Sequence, residues 1–219
     1  MSKLLFGILS LTIFLTACED PAANKPKATT TNASNTANTA TNSTAAAPGA
    51  QTERLVIDPE NSKVEFIGSK VTGKHDGGFK KFAGTIALVN GKPEDSTVSI
   101  GLDMNSVFTD TDGLTKHLMT GDFFDVAKYP KATFKATKIV PDAEKGAGHY
   151  LVTGDLTLRG VTKSVTFPAT ITVAGDSVAV NAEFSINRKD FNILYTGKAD
   201  DLIRDDVVIK LDLKAPRQT

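Results

Sequence analysis

The stretch 150–167, YLVTGDLTLRGVTKSVTF, leaves this chain little freedom in how it folds. Tyr150, Val152, Leu156 and Leu158 share one parity; Leu151, Thr153, Asp155 and Thr157 share the other, which is mostly polar. Alternation with period two is the pattern of a β-strand with one buried face. Arg159-Gly160 follows and predicts a tight two-residue turn, with Gly free to take a positive φ. Val161, Val165 and Phe167 return as the apolar parity against Thr162, Ser164 and Thr166. Such a loop sets the register: Leu158 opposite Val161, Gly154 opposite Val165, Val152 opposite Phe167. The two apolar sets then share one face. Lys163 is the misfit, since this register puts it opposite Leu156. A bulge near the turn, or a rim position with the amine in water, would accommodate it.

The same alternation recurs along the chain. Leu55, Ile57, Val64 and Phe66 mark a first strand or strand pair, broken at 59–61. Residues 68–78, GSKVTGKHDGG, read as a turn or a loop at a barrel mouth. Phe82, Ile86 and Leu88 lead to Asn90-Gly91, a strong turn signal. Val98, Ile100, Leu102 and Met104 alternate cleanly. Leu114, His117, Leu118 and Gly121 break the pattern at helical spacing and predict a short helix within 113–124. Ala132, Phe134 and Ala136 resume the strand pattern. Val178 to Ile186 and Val207 to Leu213 supply two more alternating runs, joined by a long connection over 192–206. About eight strands at regular spacing predict an all-β fold, an eight-stranded antiparallel barrel with one short helical insertion. Closure also removes the exposed edges that an open sheet would leave.

The amino-terminal 52 residues differ in kind. Lys3 and the apolar run LLFGILSLTIFL read as a secretory signal, the run being too short to span a bilayer comfortably. Leu15-Thr16-Ala17-Cys18 resembles the bacterial lipobox. That resemblance implies removal of residues 1–17, lipidation of Cys18 and acylation of its new amino group. It places the protein in the bacterial cell envelope, exported and lipid-anchored, with the choice of membrane left open. Ala, Thr, Asn, Ser and Pro fill 27 of the 30 positions from 21 to 50, and no large apolar residue occurs there. Residues 18–52 are therefore expected to be a lipidated Cys followed by a disordered linker, with the barrel at 53–216. The chain has 25 basic and 25 acidic residues, which gives no basis for nucleic-acid binding. Cys18 is its single cysteine, so no intrachain disulfide can form.

Several motifs resemble the YceI-like family of bacterial envelope proteins. His117-Leu118, Asp122-Phe123-Phe124-Asp125-Val126, Tyr129-Pro130 and Phe134 match its HL…DFFDV…YP…F signature. Residues 153–163, TGDLTLRGVTK, match its hairpin, and Arg188, Asp190 and Phe191 match a late RxDF element. The likeness covers most of 55–215. Leu114-Thr115 stand where the family often has Arg-Asp, and Asn192 where it tends to have Gly. The resemblance implies a lipocalin-like barrel whose long apolar cavity holds an isoprenoid quinone-type molecule, a polyprenoid or another long-chain amphiphile. No cofactor beyond that ligand is expected.

The candidate ligand-binding residues follow from the apolar parities. They are Phe66, Ile100, Leu102, Phe134, Val152, Leu156, Phe167 and Phe184, with Phe123 and Phe124 as a cap or plug at one end. His117 is a candidate donor to a headgroup oxygen, weighed against a structural histidine. An eight-stranded barrel is just wide enough to be filled by its own side chains or to hold one small ligand. The competing expectation is a filled barrel that serves as a structural or interaction module of the envelope. No nucleophile elbow, phosphate loop or metal-ligand spacing is present, so no enzyme is expected, and no catalytic or metal residues. Asp110-Thr111-Asp112-Gly113 lacks the further ligands of a calcium loop. Arg188 and Asp190 are expected to pair at a strand end, as a surface ion pair worth little, with a headgroup role as the minor alternative. The expected partners are an apolar or lipid ligand and the membrane, with a homodimer left open.

Overall fold

The computed structural model describes residues 20–33 and 51–217. The expected signal segment, Cys18 and residues 34–50 of the expected linker lie outside the described residues. The strands are β1 (Thr29–Asn32), β2 (Thr52–Ile57), β3 (Lys63–Lys70), β4 (Gly73–Phe79), β5 (Phe82–Val89), β6 (Lys92–Asp103) and β7 (Val107–Thr109). After the helix α1 (Asp112–Leu118) come β8 (Lys131–Pro141), β9 (His149–Leu158), β10 (Val161–Val173) and β11 (Ser177–Asn187). The last are β12 (Gly197–Lys198), β13 (Asp201–Leu202) and β14 (Asp206–Pro216).

Every pairing within the main sheet is antiparallel, in the order β2-β5-β6-β8-β9-β10-β11-β14-β3-β4-β7. Two bent strands curl it into a barrel. Only Lys80-Lys81 separate β4 from β5, and one 3-10 turn, Met104–Ser106, separates β6 from β7. The corners are bonded to each other: Ser106 O accepts from Lys80 N–H at 3.1 Å, and Ser106 Oγ from Lys81 N–H at 2.9 Å. With each bent pair taken once, the wall has eight staves, while β1, β2 and the β12–β13 pair take the strand count beyond the eight expected. Residues 68–78, expected as a turn or loop, are strand except at 71–72, because β3 and β4 pair across that short turn. β2 is an addition. It pairs with β5 where that strand has left β3, and Asp58 N–H reaches Lys214 O of β14 at 2.9 Å.

The β9–β10 hairpin has the register read from its alternation, unbroken from Val161↔Leu158 to Thr170↔His149. Arg159 and Gly160 both take positive φ, 50° and 74°, as a type I′ turn requires. No bulge relieves Lys163. Its Nζ instead donates to Asn32 Oδ1 of β1 at 2.8 Å. The helix is shorter than the expected span and gives way after Leu118 to a run of turns.

The described part of the expected disordered linker is structured, which corrects that expectation. β10 and β11 pair only over Thr170–Val173 and Val178–Asn181, so the sheet is split below that point. Segment 20–33 fills the split. β1 pairs with Lys163–Thr166 of β10, while Ala28 N–H donates to Ser185 O at 2.8 Å and Ser185 N–H to Pro26 O at 2.9 Å. Ala28 enters the core at 7% exposure, and Ala22 packs on Ile67 and Val208 outside the barrel. Ion pairs Asp20–Arg204, Lys25–Glu183 and Lys27–Asp206 tie the segment down.

Candidate functional site

The barrel is packed at one end and hollow at the other. Along β14 the inward residues Leu213 and Ala215 are 2% and 0% exposed, while Val207, Ile209 and Leu211 are only half-buried. Along β9, Val152 is buried but Leu156 and Leu158 are not. The packed end is filled by Leu55, Ile57, Ile86, Leu88, Ile139, Ile171 and Val178, four of them from β2 and its partner β5. The hollow end holds a cavity of about 210 Å³ with an almost wholly hydrocarbon wall. One water needs roughly 10–15 Å³, so space is ample, yet an apolar cavity offers water too few partners.

Aromatic rings lie along the wall and leave the middle free. Phe134, Phe167 and Phe184 form a row across β8, β10 and β11, the last two stacked at 4.1 Å. Gly154 is what lets Phe134 lie flat, since a Cβ there would come within 2.6 Å of Cε2 of the ring. Phe66, Phe79 and Phe124 form a second group near the cap.

The cap is built from the motif residues. Phe123 is 7% exposed and packs against Tyr195, and His117 stands edge-on to both rings. His117 Nε2 bonds Asp122 Oδ2 at 2.8 Å. Arg159 at the hairpin turn donates to Gly121 O at 2.7 Å and to Asn192 O, which fastens the cap to the staves. Arg188 is 4% exposed and holds the opposite loops. It donates through Nη1 to Ile193 O, Nε to Arg204 O, and Nη2 to Ile203 O and Asp205 Oδ1. Burial pulls its guanidinium below the ordinary value, and Asp205 opposes that shift. The expected Arg188–Asp190 pair is thus replaced by a buried network with Asp205 as the carboxylate.

Of the candidate residues, Phe66, Ile100, Leu102, Phe123, Phe124, Phe134, Leu156, Phe167 and Phe184 line the cavity. Val152 and His117 do not. Val152 lies in the packed half beside Ile139, and His117 is held in the cap by Asp122. Side chains fill one end of the barrel, so the cavity does not run its full length. Sequence reasoning missed Ile186, Ile209 and Leu211, whose parity did carry the signal, and Ile193 and Ile203, whose loop carries no period. Ser69 also lines the cavity, and its buried hydroxyl has no hydrogen-bond partner among the described residues. Among those residues no group of three His, Cys, Asp or Glu is placed to hold a metal ion.

A curled antiparallel barrel with a hydrocarbon-walled cavity at one end defines a lipocalin-like architecture. The chain belongs to the YceI-like domain family, which matches residues 55–215. It is 37% identical over 140 residues to a UPF0312 protein of Pseudomonas putida, covering 61% of this chain and 71% of that one. A UPF0312 protein of Vibrio parahaemolyticus is 39% identical over 135 residues, covering 58% and 68%. Among solved structures, Burkholderia cenocepacia BcnA matches at TM-score 0.66 and 28% identity, covering 73% of this chain and 99% of its own. A polyisoprenoid binding domain from Saccharophagus degradans, implicated in plant cell wall breakdown, matches at TM-score 0.60 and 18% identity, covering 77% and 100%. At that identity the likeness concerns fold. Segment 20–33 lies outside the family match.

Proposed function

We propose that this is a membrane-anchored envelope protein that binds the chain of a long apolar molecule in its barrel. An isoprenoid quinone or polyprenoid is the favoured class. The observation that carries this reading is the cavity, roomy and almost without polar wall, at the end of a barrel whose other end is solid. A dry apolar cavity favours hydrocarbon over water or polar solutes. Each buried methylene contributes about 0.8 kcal/mol before binding costs, so an isoprenoid tail could supply most of the affinity. A polyisoprenoid binding domain shares this fold, so the architecture is compatible with that ligand class. The lipobox-like Leu15-Thr16-Ala17-Cys18 supplies the anchor. Two or more acyl chains would hold it stably, and carriage, storage or sequestration would then occur close to the membrane.

The test is organic extraction of gently purified protein, followed by mass identification of what comes off. A stoichiometric prenyl or other long-chain lipid is the expected result. Preparations that are always empty, and that take up no quinone or prenol, would refute the reading.

A further inference from the structure

We infer that the barrel end carrying Val71, Leu194 and Leu202 is a membrane-docking surface that seats the cavity-bearing end on the bilayer. The inference rests on the reading of Cys18 as the lipid anchor. Val71, Leu194 and Leu202 are 55%, 58% and 49% exposed. The loops that bear them are laced together. Val71 N–H donates to Leu202 O at 3.1 Å, Ile203 N–H to Thr196 O at 2.9 Å, and Lys70 pairs with Asp201. Arg188 then binds the carbonyls of Ile193 and Ile203 from inside. Ile193 and Ile203 line the cavity, while their chain neighbours Leu194 and Leu202 face out. The apolar tips are therefore at the cavity's own end of the barrel, on a braced rim.

The position of Asp20 argues what covers those tips. Asp20 pairs with Arg204 at 3.3 Å, and Arg204 is two residues from Leu202. Cys18 is two residues before Asp20, a reach of at most about 7 Å. Ala22, buried against Ile67 and Val208, fixes the segment on that side of the barrel. Acyl chains on Cys18 would thus start beside the exposed aliphatics and could not sit at the end of a long free tether. Three aliphatic tips bind a bilayer weakly alone. An anchor this close raises their effective concentration at the surface and makes the contact persistent.

The chain has no Trp, so one introduced indole is a sole reporter. The full-length protein is reconstituted in vesicles of phosphatidylethanolamine and phosphatidylglycerol with brominated acyl chains. Val71→Trp and Leu202→Trp are compared with Val56→Trp. Val56 is 50% exposed on β2, a strand that contributes nothing to the cavity wall. The first two should shift to the blue and be quenched by bromine roughly twofold or more beyond the third. Equal quenching in all three would overturn the inference, as would a blue shift without bromine quenching, which would assign the tips to contact with a second copy of this chain. Anchoring is read separately from the acyl mass on Cys18 and from flotation of the parent against Cys18→Ser. Floating protein with unquenched indoles sinks the docking surface and leaves the anchor standing; a parent chain without acyl mass sinks both.

Discussion

Gly160 lies beneath the ring of Tyr129, so close that a Cβ on it would come within 2.5 Å of Cε1. The hairpin turn and the cap loop, 31 residues apart in the chain, meet at that contact. It joins two motifs that look independent in the sequence. Gly160→Ala should therefore cost about 1–3 kcal/mol, from the left-handed backbone as well as the ring. Adding Tyr129→Ala should recover the steric part alone. Denaturant midpoints of the two single variants and the double variant would show this non-additivity.

The hollow and solid ends of one strand should answer oppositely to added volume. Leu211→Phe enters the cavity and should change stability by less than about 1 kcal/mol while displacing bound lipid. Leu213→Phe, two residues on and facing the same way, overpacks a filled site and should cost about 1–3 kcal/mol. Thermal unfolding paired with lipid extraction separates the two outcomes.

The strand in the split between β10 and β11 should be needed for a closed wall. Ala28→Asp would bury a carboxylate without a partner at a site 7% exposed. A loss of about 2 kcal/mol or more is expected. Hydrogen exchange at Ser185, whose amide donates to Pro26 O, should accelerate.

Arg188→Met should orphan the carbonyl oxygens of Ile193, Ile203 and Arg204 and cost about 3 kcal/mol. Arg188→Lys should not restore it, since one ammonium cannot reproduce a planar fork. Chemical denaturation of both variants is the check.

The rim should loosen in acid. Hydrogen bonds from Lys70 and Thr72 hold the Asp201 carboxyl below its ordinary value. A depressed carboxylate contributes stability above its unfolded value, near 3.9, and loses it as pH falls through the lower folded one. An NMR titration should place Asp201 below the ordinary aspartate value, and Lys70→Met should raise it toward that value.

Strand identity, inward face and the register of the β9–β10 hairpin were legible because alternation is a local property of the chain. A two-residue turn then leaves one pairing that keeps Val152, Leu158, Val165 and Phe167 on one side. The cap motif was legible as a helix start, though not its length. The Thr29–Asn32 strand was not legible. Its composition buries almost nothing, and it is a strand only because the barrel offers two unpaired edges. A run of three β-branched threonines was the faint signal.

By itself, the sequence determined which side chains point inward and that the sheet must hide them. It could not determine whether facing walls meet. Val152 and Leu156 share strand, parity and chemistry, yet one is packed and the other borders empty space. That difference depends on where β2 adds its leucine and isoleucine and where glycine lets phenylalanine lie against the wall, which only the three-dimensional arrangement decides. Parity is set along one strand, whereas a cavity is a volume left over among all of them.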